Sequence, residues 1–202
     1  TSGFASKAAL NNLTTALSSE VSVLLVGLPG AGKTTFLHYL VSELPEDCSY
    51  TVLNPSVRGA PEDILLNGEQ MQIYVNKARC AGSSVLAFDF QTPMAVKASP
   101  YVSAVLAVAY GKDAEAGLSC LAYDVTNEYS CSNENATSLV CHTFPLVAVL
   151  SLRAGERRLN EIVECRYTDG HPALIPIWTH EKEDGINSSD NLSEYKGEVG
   201  NA

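Results

Sequence analysis

The stretch that most constrains this chain is residues 21–40, VSVLLVGLPGAGKTTFLHYL. An apolar run over 21–26 predicts a buried strand. The tight loop Gly27-Leu28-Pro29-Gly30-Ala31-Gly32-Lys33-Thr34 follows, and then a helical pattern with Phe36, Leu37 and Leu40 on one side. The octet is GxxxxGK[ST], set between a strand and a helix as that motif requires. Gly27, Gly30 and Gly32 have no Cβ, so the backbone can curl with its N–H groups turned inward as an anion nest. A helix starting near Lys33 adds the positive end of its dipole. A triphosphate laid in this cradle would meet the backbone of residues 27–35, Thr35 included. Lys33 would reach the β- and γ-phosphates, and the Thr34 hydroxyl would ligate Mg²⁺. The expected ligands are therefore ATP or another NTP, with Mg²⁺.

Composition narrows the rest. The 202 residues suffice for one domain, or one domain and a tail, and 46% hydrophobic content can supply a core. No apolar run reaches the ~18 residues of a membrane span. Thr1 brings neither an initiator Met nor a signal peptide, which predicts that the sequence begins inside a longer protein. A net charge of −10 and a pI near 4.8 oppose any general affinity for polyanions, so contact with nucleic acid has to be local. Six cysteines without a CxxC pair point to free thiols in a reducing compartment rather than to a zinc site.

In chain order, residues 1–19 are helix-prone. The loop helix is predicted from Lys33 to about Leu44, ending at Pro45. Strands are predicted over 49–53 (SYTVL), 72–75 (QIYV), 85–90 (VLAFDF), 145–152 (PLVAVLSL) and 173–178. Residues 101–109 are apolar throughout, and 111–120 look helical. Residues 54–63 are loop, with Pro55 and Pro61. Arg153, Arg157 and Arg158 are placed on neighbouring helical positions, as a solvated face or as a grip for RNA phosphates. His38 reads as a packed side chain, and Trp178, Tyr101, Tyr110, Tyr123 and Tyr129 read as core aromatics before base-stacking ones. Alternating strands and helices predict an α/β fold with a mainly parallel sheet, a P-loop NTPase (RecA-like) core over 1–135, a truncated remainder over 136–178, and a disordered acidic tail over 179–202.

A P-loop enzyme also needs an acid for Mg²⁺, usually ending an apolar strand, and a group that orients the acceptor. Asp89 closes VLAFD and is the candidate acid; a strand-end Asp capping the turn at Gln91-Thr92 is the alternative. The other strand end, QIYV, closes in Asn76-Lys77, poor substitutes for two carboxylates.

The loop, the CSYTV of 48–52 and the proline-rich stretch after it resemble the triple gene block movement proteins of plant RNA viruses, relatives of superfamily 1 RNA helicases. Val75-Asn76-Lys77-Ala78 falls where that family has Asp-Glu-Tyr. Ala87-Phe88-Asp89-Phe90-Gln91 looks like its Gly-Asp-Pro-x-Gln element, one residue short. Val108-Ala109-Tyr110-Gly111 looks like its Arg-Phe-Gly, with Ala109 in place of the Arg. The resemblance covers roughly residues 11–125. It implies phosphate and Mg²⁺ contacts at Lys33 and Thr34, and catalytic, nucleotide-sensing roles for Asp89 and Gln91, without the family's catalytic Glu or arginine. It further implies single-stranded RNA, other movement proteins or host factors as partners, self-association, cell-to-cell movement of viral RNA with silencing suppression, and a place in the host cytoplasm and plasmodesmata. Two other readings stay open. One is a P-loop kinase of a small acceptor with the arginine cluster as lid. The other is a nucleotide-gated adaptor that binds partners through residues 55–61 or the tail.

Overall fold

Consecutive apolar side chains on a strand can all be buried only when both faces of the strand are covered. In a computed structural model of the protein, which describes residues 3–53, 76, 82 and 84–180, Val23–Val26 form such a strand, β1, buried at every position. Before it runs α1 (Lys7–Ser18), whose N-terminus is capped by Ser6: the Oγ accepts the Ala9 N–H at 3.1 Å. After it come α2 (Lys33–Ser42), β2 (Tyr50–Leu53), β3 (Val85–Phe88), α3 (Met94–Ala98), a 3₁₀ turn (Ser99–Tyr101) and β4 (Ala104–Ala109). Then follow α4 (Ala114–Tyr129), α5 (Asn133–Thr143), β5 (Leu146–Arg153), β6 (Glu156–Thr168) and β7 (His171–Thr179).

The described strands form one seven-stranded sheet in the order β2-β3-β4-β1-β5-β6-β7. The strands from β2 to β5 pair in parallel, and β6 and β7 add antiparallel at one side. This is the predicted α/β architecture with a mainly parallel sheet. β1 lies between β4 and β5, with Val26 opposite Ala109 on one side and Val149 on the other. The sheet is thus continuous across residue 135. Period-two alternation sorts the strand side chains into two cores. Val23, Leu25, Leu106 and Ile162 pack with Leu13, Leu17, Phe36 and Leu37 of α1 and α2. Leu24, Val26, Phe88 and Val149 pack with Leu118, Leu121 and Val140 of α4 and α5.

The predicted arginine helix is corrected. Arg153, Arg157 and Arg158 lie in a β-hairpin, and a two-residue turn joins Arg153 to Glu156. Ala154 (φ 51°) and Gly155 (φ 83°) both adopt left-handed backbone, the geometry of a type I′ turn. Asp169 (φ 54°) and Gly170 (φ 82°) turn β6 into β7 in the same way. A second correction concerns Asn76, which is helical and exposed rather than the end of a strand. A helix not expected from the sequence, α5, follows α4 and is capped by Ser132, whose Oγ accepts the Asn135 N–H. The expected strand at 72–75, the partner-facing loop at 55–61 and the disordered tail beyond His180 lie outside the described residues. Among the described residues, no helix is long and apolar enough to cross a membrane.

Candidate nucleotide-binding site

β1 delivers the glycine loop to the carboxyl end of the sheet. At that point one connection leads away toward β2 and another returns on the opposite side to β5, and such a switch in strand order opens a crevice. Gly27 is pressed against β5: a Cβ on it would stand 2.9 Å from the Leu150 carbonyl oxygen, too close for any side chain. Gly32, with φ +92°, takes the N-cap position of α2. No described side chain caps that helix. The first-turn N–H groups, which have no intrahelical acceptors, therefore face the crevice with the positive end of the dipole.

Lys33 is 8% exposed. Its Nζ donates to the carbonyls of Gly27 at 2.6 Å and Leu28 at 3.2 Å, and stands 4.3 Å from the centre of the Tyr110 ring. Burial draws its pKa below the usual lysine value. The ammonium is thus half-dehydrated and held by neutral acceptors and a π face. A phosphate oxygen offers it a stronger, charge-assisted bond.

Thr34 and Thr35 are both exposed on the first turn. Asp89 follows β3, and its N–H donates to the Leu53 carbonyl at 3.0 Å. Its carboxylate is almost wholly buried and lies 3.6 Å from Nε2 of His38. His38 is half exposed rather than packed in the core. It sits one turn beyond Thr34 on the same face of α2, so that contact brings Asp89 to the side of the helix that carries Thr34. A hydroxyl and a carboxylate at the mouth of a phosphate cradle are hard oxygen donors suited to Mg²⁺. Gln91 is committed to the scaffold. Its Oε1 accepts the Tyr110 N–H at 2.6 Å, and its Nε2 donates to Asp124 at 2.5 Å and to the Cys120 sulfur at 3.3 Å. It ties the ends of β3 and β4 to α4 and fixes the residue whose ring meets Lys33.

The hairpin divides the arginines between the two faces of the sheet. Arg157 points to the α2 side, where its Nε donates to the Gly30 carbonyl at 3.0 Å. Arg153 and Arg158 point the other way, into a cavity of about 350 Å³ lined also by Lys112, Asp113, Asn160 and Glu161. Arg158 is paired there with Glu156 at 2.6 Å. Burial first, and then the charge of Asp113, push the Glu161 carboxyl above the usual range. Trp178 is half-buried against the α1–α2 core, while Tyr101, Tyr110 and Tyr123 are exposed. The Tyr129 hydroxyl donates to the Pro93 carbonyl at 3.3 Å, and burial followed by the charge of Glu128 lifts its pKa to about 12.

The sequence singles out Arg157 but places it on a helix, and shows neither its contact with the Gly30 carbonyl nor the role of Tyr110. The signal for Arg157 was the Ala-Gly turn pair, which makes the flanking residues strands and sends adjacent arginines to opposite faces.

Over 81% of its length the chain superposes on the VirB11 ATPase of the Brucella suis type IV secretion system, solved in complex with sulphate, at a TM-score of 0.59 and 16% identity. It superposes on the Yersinia pseudotuberculosis ATPase DotB over 78% of its length, at a TM-score of 0.54 and 10% identity. The chain shares the α/β fold of these two ATPases. The chain spans about half of each neighbour, 54% of the first and 46% of the second. No protein-family model matches the sequence, and no curated protein does. The P-loop fold accounts for the central position of β1 and for the loop at its carboxyl end.

Proposed function

We propose that this chain is a nucleotide-binding P-loop module that holds a nucleoside triphosphate with Mg²⁺ on residues 27–35 and turns it over slowly. One arrangement carries the reading: a glycine loop on the central strand, ending in an uncapped helix start, with the Lys33 ammonium poised on the loop's own carbonyls. Lys33 and the first-turn N–H groups of α2 bind the phosphates. Thr34 and Asp89 would hold Mg²⁺, which when bound neutralises charge on the transferring phosphoryl group. His38 beside Asp89 orients that carboxylate. Slow turnover is expected because the residue after Asp89 is Phe90, so no second carboxylate follows on that strand end to orient an attacking water. ATPase neighbours of the same fold, one of them solved with a bound oxyanion, support the reading.

The narrower viral reading rests on the sequence motifs alone, and the structural neighbours named above are bacterial ATPases. Titration of the protein with a fluorescent ATP analogue, with and without Mg²⁺, tests binding; phosphate release with and without single-stranded RNA tests turnover. Saturable, Mg²⁺-dependent binding with slow release is the expected result. Stimulation by RNA would favour the helicase-like reading, and transfer to an added nucleoside would favour a kinase. Absence of any binding would overturn the proposal.

A further inference from the structure

A second cavity, of about 200 Å³, opens directly off the phosphate loop. Gly32 and Thr35 belong to both. Its other walls come from four places in the chain: Phe4 ahead of α1, Leu10 on α1, Phe36 and Tyr39 on α2, and Arg157 on β6. The rings form a continuous patch. Phe4 and Phe36 are 5.0 Å apart and tilted, and Phe36 and Tyr39 are 6.3 Å apart and nearly parallel. Arg157 is fixed at the junction. Its Nε is bonded to Gly30, and its Cδ would lie 2.8 Å from a Cβ on Gly32. It crosses the loop where only a glycine leaves room. The wall opposite is anchored as well, because the Phe4 carbonyl accepts the Leu159 N–H at 2.8 Å, two residues along β6 from Arg157.

Resting on the nucleotide-binding reading above, we propose that this cavity receives the base of the nucleotide, held between the aromatic patch and the Arg157 guanidinium, and that the site does not discriminate between purines. Position supports the first part. With Lys33 on the β- and γ-phosphates, the nucleoside end of the ligand leaves the loop by its other side, and Thr35 and Gly32 open there onto the cavity. Chemistry supports the second. The cavity wall is apolar almost throughout, so it meets the face of a base but offers its edge little to hydrogen-bond. Strong discrimination requires polar groups that the wrong base leaves unpaired, whereas stacking and cation–π contact accept any π face.

Equilibrium binding of ATP, GTP, ITP and inorganic tripolyphosphate to the full chain tests this, with the variants Tyr39→Ala, Phe4→Ala and Arg157→Lys. ATP, GTP and ITP should bind within about threefold of one another, each about tenfold or more tighter than tripolyphosphate. Tyr39→Ala and Phe4→Ala should shrink that advantage for all three alike and leave tripolyphosphate binding as it was, which also shows that the variants are folded. Arg157→Lys keeps the charge and loses the planar fork, so it should lower nucleoside triphosphate affinity more than tripolyphosphate affinity. Tripolyphosphate binding as tightly as ATP would overturn the base pocket and leave the phosphate site standing. A hundredfold preference for one purine, which demands edge contacts, would overturn the lack of discrimination and leave the base pocket standing. Binding of neither ATP nor tripolyphosphate would remove the nucleotide reading and this inference with it.

Discussion

The Lys33 ammonium rests 2.6 Å from the carbonyl oxygen of Gly27, the residue that opens its own loop. The bond links the two ends of the glycine turn, and a phosphate must compete for the same three protons. Lys33→Ala removes a charge-assisted contact worth ~1.5–3 kcal/mol. ATP affinity should therefore fall by at least about tenfold, read by titration with a labelled analogue. Unchanged affinity would mean that the ammonium stays on the carbonyls when nucleotide binds.

Gly32→Ala tests the crowding over the loop. The backbone there is left-handed, which costs a side chain roughly 1–2 kcal/mol. The new methyl would also meet Arg157. A Tm loss of about 2–8 °C is expected, together with loss of nucleotide binding. Adding Arg157→Ala should relieve the clash but not the φ strain, so the double variant should recover only part of the Tm. Full recovery would show that the clash, and not the backbone, is what demands glycine.

Sequence legibility followed the strength of the local signal. β1, its loop and α2 could be read because a buried strand, a glycine octet and an amphipathic turn coincide in one window, and β3 and β5 because double-sided burial leaves unbroken apolar runs such as VLAF; AVLAVA of β4 shows only as an apolar stretch, whose element type periodicity does not tell. The hairpins were lost for a different reason. β6 reads ERRLNEIVECRYT, and an extra residue, Asn160, between the partners of Val149 and Leu150 breaks its alternation, as Ile177 does in β7 between the partners of Ile162 and Val163. Asp169-Gly170 is among the strongest hairpin signals a sequence carries, and it marks the turn that the alternation hides. Contacts such as Arg157 to Gly30 span 127 positions in the chain, and no periodicity reports them.

Asp89→Asn keeps the shape of the side chain and removes its charge. If Asp89 with Thr34 makes up the protein's side of the Mg²⁺ site, ATP affinity should fall about tenfold with Mg²⁺ present and change little in EDTA, measured by calorimetry in both buffers. An equal fall in both buffers would assign Asp89 to holding His38 and the end of β3.

Gln91→Ala separates a scaffold role from a sensing one. The substitution leaves the Tyr110 N–H and one side of Asp124 without their present partners, at a cost of ~1–3 kcal/mol. Tm should fall by about 2–12 °C, while ATP affinity falls less than for Lys33→Ala. Loss of binding at unchanged Tm would instead place Gln91 against the nucleotide.

Glu161 makes a pH-dependent contribution whose sign can be worked out. Burial and then Asp113 raise its carboxyl pKa in the folded chain. The folded state therefore favours the protonated acid, and ionisation works against the fold. Stability from this group is fully present below the ordinary Glu pKa of about 4.3 and is lost as pH rises through the raised folded value. Glu161→Gln removes the charge and keeps the shape. The variant should melt above the parent at pH 7, by on the order of 1–2 °C for a half-exposed group. The gap should close as pH falls toward 4, read by thermal unfolding across that range. A variant that melts lower at pH 7 would show the opposite balance, with Lys112, Arg153 and Arg158 on the same cavity holding the carboxylate ionised against its desolvation.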